Sequence, residues 1–274
     1  MMSNLDEALI RRSLSEKPSA QLEDLELFDS IASTNTYLLT QPPPRPKRFR
    51  VAIAEHQTSG RGRHSRHWVS PEGAGLYLSM AYTFKKTPEQ LPSLTLAIGI
   101  GVVGALQKLN IEGTSLKWPN DIVAMDGKLG GILTEVQPRA ADDLTVVTGI
   151  GLNIALPDRE ELEIKSEWAH RAIDISSVVE KVPARELIAA GMIEAVAAVM
   201  SKFESLGFAG FSEDWVQHDW LQGRDVIVDL PDGQIAGIAA GVDTDGALLV
   251  DTGNEKARVV SGSIVAAELA GVEN

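Results

Sequence analysis

Apolar residues recur along the chain in two periods. Near-continuous apolar runs at 50–57 (RVAIAEHQ) and 75–84 (GLYLSMAYTF) predict buried strands. The segments 115–136 and 144–156 predict further β structure broken by Gly, Asn and Asp turns. Helical spacing predicts two long helices. Thr87 as N-cap, Pro88 at the first position and Gln90 reaching back start one that runs to about Leu109. Leu187, Ile188, Ile193, Val196, Val199, Met200 and Phe203 mark a second over 182–206, with Gly207 as its stop. Trp215 and Trp220 follow in a short helical stretch, and the chain before residue 30 holds at most one short helix. Ser33-Thr34-Asn35 ahead of 36–40 reads as a helix N-cap that employs one of three polar side chains. Pro42, Pro43, Pro44 and Pro46 make a stiff surface connection.

From Arg224 the texture changes. Short apolar runs alternate with turn residues at 231–233, 243–246 and 252–254, which predicts a small β-barrel and a boundary at 221–224, dividing the chain into 1–222 and 223–274. With 274 residues, 44% hydrophobic, the chain suits one large domain plus a small appendage. It contains no cysteine, which excludes disulfides, thiolate metal sites and cysteine nucleophiles. The charged N-terminus lacks the apolar core of a secretory signal, and the apolar stretch 94–109 falls short of the ~20 residues of a membrane span. A cytoplasmic protein with no membrane partner is expected.

The net charge of −13 argues against a surface that binds nucleic acid broadly. One region departs from it. Residues 45–66 hold seven of the 25 cationic side chains (Arg45, Lys47, Arg48, Arg50, Arg61, Arg63, Arg66) and one acid, Glu55. Glycines interleave with arginines in Gly60-Arg61-Gly62-Arg63-His64-Ser65-Arg66-His67-Trp68, between two buried strands. By composition this is a solvated loop or a ligand cover, and its anchoring favours the cover. No Walker-type phosphate loop and no serine-hydrolase elbow occur. Gly99-Ile-Gly101-Val-Val-Gly104 satisfies the dinucleotide pattern but falls inside a predicted helix, where tight packing explains it. His56, His64 and His67 lie among arginines that would repel a metal ion. Lys117-Trp118-Pro119-Asn120-Asp121 and Gly127-Lys128-Leu129-Gly130-Gly131-Ile132-Leu133 each bring a lysine to a turn, and with the arginine loop they suggest an anion pocket.

Taken together, these segments and Gly149-Ile150-Gly151-Leu152-Asn153 resemble the biotin protein ligases in order and approximate spacing, over nearly the whole chain. The resemblance implies an α+β fold. Its catalytic domain would be class II synthetase-like, a mixed/antiparallel sheet with flanking helices, followed by a small SH3-like β-barrel. It further implies two steps: biotin and ATP give biotinyl-5′-AMP and pyrophosphate, then a lysine of a biotin carboxyl carrier protein takes the biotinyl group. Carried onto this chain, Ser33, Thr34, Asn35 and Gln57 would bind the biotin ureido ring or its surroundings, with Gly62 and His64 nearby. Arg61, Arg63 and Arg66 would order over biotin and the phosphates, and Trp68 would pack against the loop. Lys128 would contact the biotin carboxylate and the reacting phosphate, with Lys117 adding charge; these two and Arg63 form the catalytic set. Asn120, Asn153 and Trp168 would line the adenine side. Mg²⁺ would accompany ATP, without an assigned protein ligand beyond a speculative part for Asp121.

Members of the family commonly carry Arg and Gly where this loop has His64 and Ser65, a change that lowers charge and stiffens the loop. The chain has no room for the winged helix of the members that repress transcription, so a ligase without DNA binding is expected. A homodimer paired at a sheet edge is compatible with the sequence. The alternatives are a lipoate or octanoyl ligase on the same fold, and a nucleic-acid-binding protein using 45–66 as its contact strip.

Overall fold

A computed structural model describes residues 5–137, 143–157 and 172–269. Two short helices, α1 (Glu7–Ser13) and α2 (Glu16–Gln21), lead into a ten-residue strand, β1 (Leu22–Ile31). The sequence expectation of at most one short helix here is thus corrected. The polar residues of β1 had hidden it, because the strand lies at the sheet edge and keeps only Leu25 fully buried.

Helix α3 (Thr34–Thr40) and the proline segment carry the chain back, so β2 (Phe49–Gln57) pairs with β1 in parallel. The remaining strands are antiparallel: β3 (Gly75–Phe84), β4 (Thr114–Lys117), β5 (Asp121–Ala124), β6 (Gly127–Gln137) and β7 (Leu144–Asn153). The mixed sheet runs β1-β2-β3-β7-β6-β5-β4. Every residue of β3 is buried, as expected of a strand covered on both faces.

One face of the sheet packs on α4 (Leu94–Lys108) and α6 (Arg185–Leu206), with the short α5 (Ile175–Val178) preceding α6. The expected start of α4 at Thr87 is not observed. Pro92, not Pro88, occupies the first turn, in a 3₁₀ turn over Leu91–Ser93. Gln90 is diverted from capping: its Oε1 accepts from the Phe208 N–H and its Nε2 donates to Asp245. The stretch Leu91–Lys108 has the length and apolarity of a membrane span, contrary to expectation, yet ten of the 15 residues of α4 are buried in this core. A Cβ at Gly99 would stand 2.9 Å from Leu116 and one at Gly101 2.6 Å from Val199, so packing accounts for those glycines; Gly104 faces open space. Gly207 ends α6 at φ 57°.

Helix α7 (Ser212–His218) contains Trp215, while Trp220 lies past its end and donates its backbone N–H to Leu116. The strands β8 (Arg224–Leu230), β9 (Gly233–Val242), β10 (Leu248–Asp251), β11 (Lys256–Val259) and β12 (Ser263–Leu269) form an antiparallel sheet in the order β11-β10-β9-β8-β12. This is the SH3-like unit, and its turns fall at the Gly/Asp/Asn clusters read from the sequence. The β9–β10 turn docks on the first sheet, where Trp118 Nε1 donates to the Gly246 carbonyl at 3.1 Å.

A buried ion pair fastens the segment that leads into α1. Arg185 reaches Glu55 at 2.5 and 3.1 Å, both side chains are 8% exposed, and Glu55 also accepts the Leu5 N–H. Removing one partner strands a charge in the core. Arg185→Met should cost about 3–5 kcal/mol in urea unfolding, and adding Glu55→Gln should restore part of that loss.

Candidate active site

A cleft of about 1180 Å³, counting its open mouth, lies on the sheet face opposite α4 and α6. Its floor is the pocket-side surface of β3, β6 and β7. Three glycines, Gly131, Gly149 and Gly151, leave the backbone bare there, and the register pairs Gly131 with Gly151 and Leu133 with Gly149. Trp68 fills the space over Gly151, where a Cβ would lie 2.5 Å from its ring, and touches Gly131 similarly at 3.2 Å. Asn35 does the same over Gly149, at 2.4 Å.

The N-terminus of α3 supplies a buried polar network. Ser33 caps the helix, accepting the Thr36 N–H. Thr34 donates its N–H to Gln57 Oε1 at 2.9 Å, and its hydroxyl lies 2.7 Å from that of Ser79. Ser79 donates to Asn35 Oδ1 at 2.6 Å, while Gln57 Nε2 donates to Ser70 at 3.1 Å. A buried network of this kind fixes each side chain through its neighbours.

Opposite this floor stand the cations. The segment from Gly60 to Trp68 closes on itself, with the Trp68 N–H on the Gly60 carbonyl and the Gly62 N–H on that of Arg66. His64 (φ 53°) and Ser65 (φ 58°) both take the left-handed conformation, which favours glycine, at the two positions where the sequence departs from the family pattern. Arg63 donates to the Gly262 carbonyl and Arg66 to Ser263 Oγ, each at 3.3 Å, so the turn before β12 helps hold the loop. Burial pulls Arg63 below the usual arginine range; Asp121 opposes this and Arg66 adds to it. Lys128 pairs with Asp121 at 2.6 Å and lies 5.4 Å over the Trp68 ring; Lys117 lies 5.5 Å over Trp220.

The cleft therefore gathers Ser33, Thr34, Asn35, Gln57, Arg61, Gly62, Arg63, His64, Arg66, Trp68, Lys117, Asn120 and Lys128. Asn153 stands outside it: its amide donates to the Ile173 and Lys128 carbonyls, stapling the strand that bears Lys128. Asn120 lines the cleft but turns its amide onto the Ile132 carbonyl at 2.9 Å. Trp168 lies outside the described residues. The basic stretch 45–66 does not act as one strip. Arg45 and Arg50 pair with Glu23, Lys47 with Glu204, and Arg48 with the Ala20 carbonyl. Strand β2 separates them from the loop by roughly 3.3 Å per residue. Among the described residues, no three His, Asp or Glu side chains cluster as metal ligands.

Two family models match the chain: the biotin/lipoate A/B protein ligase family over residues 27–153 and the biotin protein ligase C-terminal domain over 222–266. The biotin–[acetyl-CoA-carboxylase] ligase of Mycobacterium tuberculosis is 32% identical over 268 residues, covering 95% of both chains. The chain belongs to the biotin protein ligase family. A bifunctional ligase/repressor of Escherichia coli is 37% identical over 224 residues, 81% of this chain and 67% of that protein. The Aquifex aeolicus biotin protein ligase, solved in complex with biotin and ATP, superposes with a TM-score of 0.74 at 27% identity, covering 90% of this chain and all of that one.

Within this ligase fold, sequence reasoning missed Ser79, Glu135, Trp220 and the Gly262-Ser263 turn. Ser79 left a signal, a polar residue inside an apolar strand run. The turn left none, because it meets the loop across almost two hundred residues. The glycine floor is testable. Gly151→Ala should displace Trp68 and lower biotin ligase activity by about tenfold to a hundredfold, while the melting temperature moves little. Unchanged turnover in a folded variant would show that Trp68 is not held by this contact.

Proposed function

We propose that the cleft binds biotin and ATP, and that the chain activates biotin to biotinyl-5′-AMP and passes the biotinyl group to a lysine of a biotin carboxyl carrier protein. The observation that carries this reading is the meeting, in one cleft, of a neutral donor–acceptor floor with an arc of five cations, Arg61, Arg63, Arg66, Lys117 and Lys128. A fused ureido ring needs both donors and acceptors. A carboxylate approaching a triphosphate needs both anions neutralised and held in line.

In this reading Ser33, Thr34, Asn35 and Gln57 surround the ring, with Gly62 and His64 at the edge of the cover. Lys128 reaches the carboxylate. A carboxylate oxygen attacks the α-phosphorus of ATP and pyrophosphate leaves. Arg63, Arg66 and Lys117 neutralise the phosphates, and partial desolvation leaves Arg63 a strong receptor for an anion. The carrier amine then attacks the mixed-anhydride carbonyl, loses a proton and expels AMP. Trp68 and the loop shield the adenylate from water. Asn120 borders the nucleotide side, while Asn153 acts through the backbone of Lys128.

Mg²⁺ would accompany ATP, and Asp121, which pairs with Lys128, lines the same cleft. We assign catalysis to residues 1–222, with 223–274 bracing the loop, and a location in the cytoplasm where ATP is at hand. A lipoate or octanoyl substrate fits less well, because an alkyl tail or dithiolane offers no donor or acceptor to match this polar floor. The nucleic-acid reading loses its contact strip, since Arg45, Lys47 and Arg50 already face carboxylates.

Incubation with biotin, ATP, Mg²⁺ and an apo carrier domain should biotinylate one carrier lysine, seen as a single mass increment, and lipoate should not compete. Folded protein that labels nothing would refute the assignment. Biotin and ATP together should raise the melting temperature more than either alone. Arg63→Gly should release free biotinyl-adenylate faster by about tenfold, the scale of one charge-assisted hydrogen bond, measured by dissociation of preformed adenylate.

A further inference from the structure

Glu135 has no part in the chemistry above, yet it joins the two halves of the cleft. It sits on β6 with Gly131 and Leu133 on the same face, beside the N-terminus of α3. Its side chain is 22% exposed and receives three donors. Arg61 Nη2 lies 2.8 Å from Oε1, and Arg61 Nη1 lies 3.0 Å from Oε2, a two-point fork. Asn35 Nδ2 donates to that same Oε2, also at 3.0 Å.

The consequence for Asn35 is an enforced orientation. Its amide faces two acceptors on one side, Glu135 and the Leu133 carbonyl, and a donor, the Ser79 hydroxyl, on the other. The NH₂ end must therefore point to Glu135, leaving Oδ1 with its second lone pair for a ring donor. The consequence for Arg61 is a fixed seat at the base of the loop, away from the mutual repulsion of Arg63 and Arg66.

We propose that Glu135 is a positioning residue that couples the polar floor to the loop, setting the Asn35 amide and seating Arg61 through one carboxylate. A ligand N–H on Asn35 Oδ1 polarises the amide and strengthens its donation to Oε2, the oxygen that also holds Arg61. Occupancy of the floor is thereby transmitted to the loop that covers the reaction. The inference rests on the biotin ligase reading.

Two variants separate the two duties. Glu135→Ala removes both partners. Glu135→Gln keeps an acceptor for Asn35 and loses the charge that grips Arg61. Biotin affinity by calorimetry and the dissociation rate of preformed biotinyl-adenylate are the readouts. Glu135→Ala should weaken biotin binding and speed adenylate release, each by about tenfold. Glu135→Gln should recover most of the biotin affinity and none of the slow release. A purely structural role would move both readouts together in each variant. Variants matching the wild type in both, or a Glu135→Gln that loses both as Glu135→Ala does, would overturn the proposal. If Glu135→Ala does not fold, Glu135→Gln decides alone: adenylate release at the wild-type rate overturns it. Wild-type protein that binds no biotin would refute the functional reading instead, which keeps the two failures apart.

Discussion

The contact on which the cleft depends is that of Trp68 with bare backbone. Where β6 and β7 lie side by side, Gly131 and Gly151 face each other, and the indole occupies the room that two side chains would take. The backbone there remains fully paired in the sheet, so the indole rests on a rigid support. The cover loop is anchored at that point: Gly60 and Trp68 join across its base. Lys128 lies over the same ring, so the position of one cation follows from that of the indole.

Charge is distributed by the fold more sharply than by the sequence. Among the described residues Glu55 and Asp174 are the buried acids of a chain of net −13, and Arg45, Lys47 and Arg50 are spent on pairs with Glu23 and Glu204. The three arginines of the loop are treated differently. Arg61 is held by Glu135, whereas Arg63 and Arg66 meet neutral oxygens of the Gly262-Ser263 turn. Cations paired only with neutral oxygens keep their capacity for an incoming anion.

That turn also joins the small C-terminal sheet to the glycine–arginine loop. Trp118 and Gln90 bind its β9–β10 turn to the first sheet. The strand β12 then presents Ser263 and Ile264 at the rim of the cleft. Two units that fold around separate sheets are joined where the loop closes.

The chain's own pattern determined a great deal. The apolar runs at 50–57, 75–84 and 144–156 became β2, β3 and β7 almost residue for residue, because a covered strand hides mostly apolar side chains. The glycine–arginine loop and the two lysine turns were legible because they gather cations between apolar strands in a chain of net −13. Local signals failed where a side chain had a better partner far away. Gln90 gave up its cap for Phe208 and Asp245, and β1 escaped notice because an edge strand tolerates polar residues. Among thirteen candidate residues that reach the cleft, the tertiary structure decided which cations meet carboxylates, and it turned the Asn153 amide onto the Lys128 and Ile173 carbonyls. The physical reason is one of range. Periodicity and turn chemistry act between neighbours in the chain, whereas the partner of a charged or amide group is whichever group the packed sheets bring within about 3 Å.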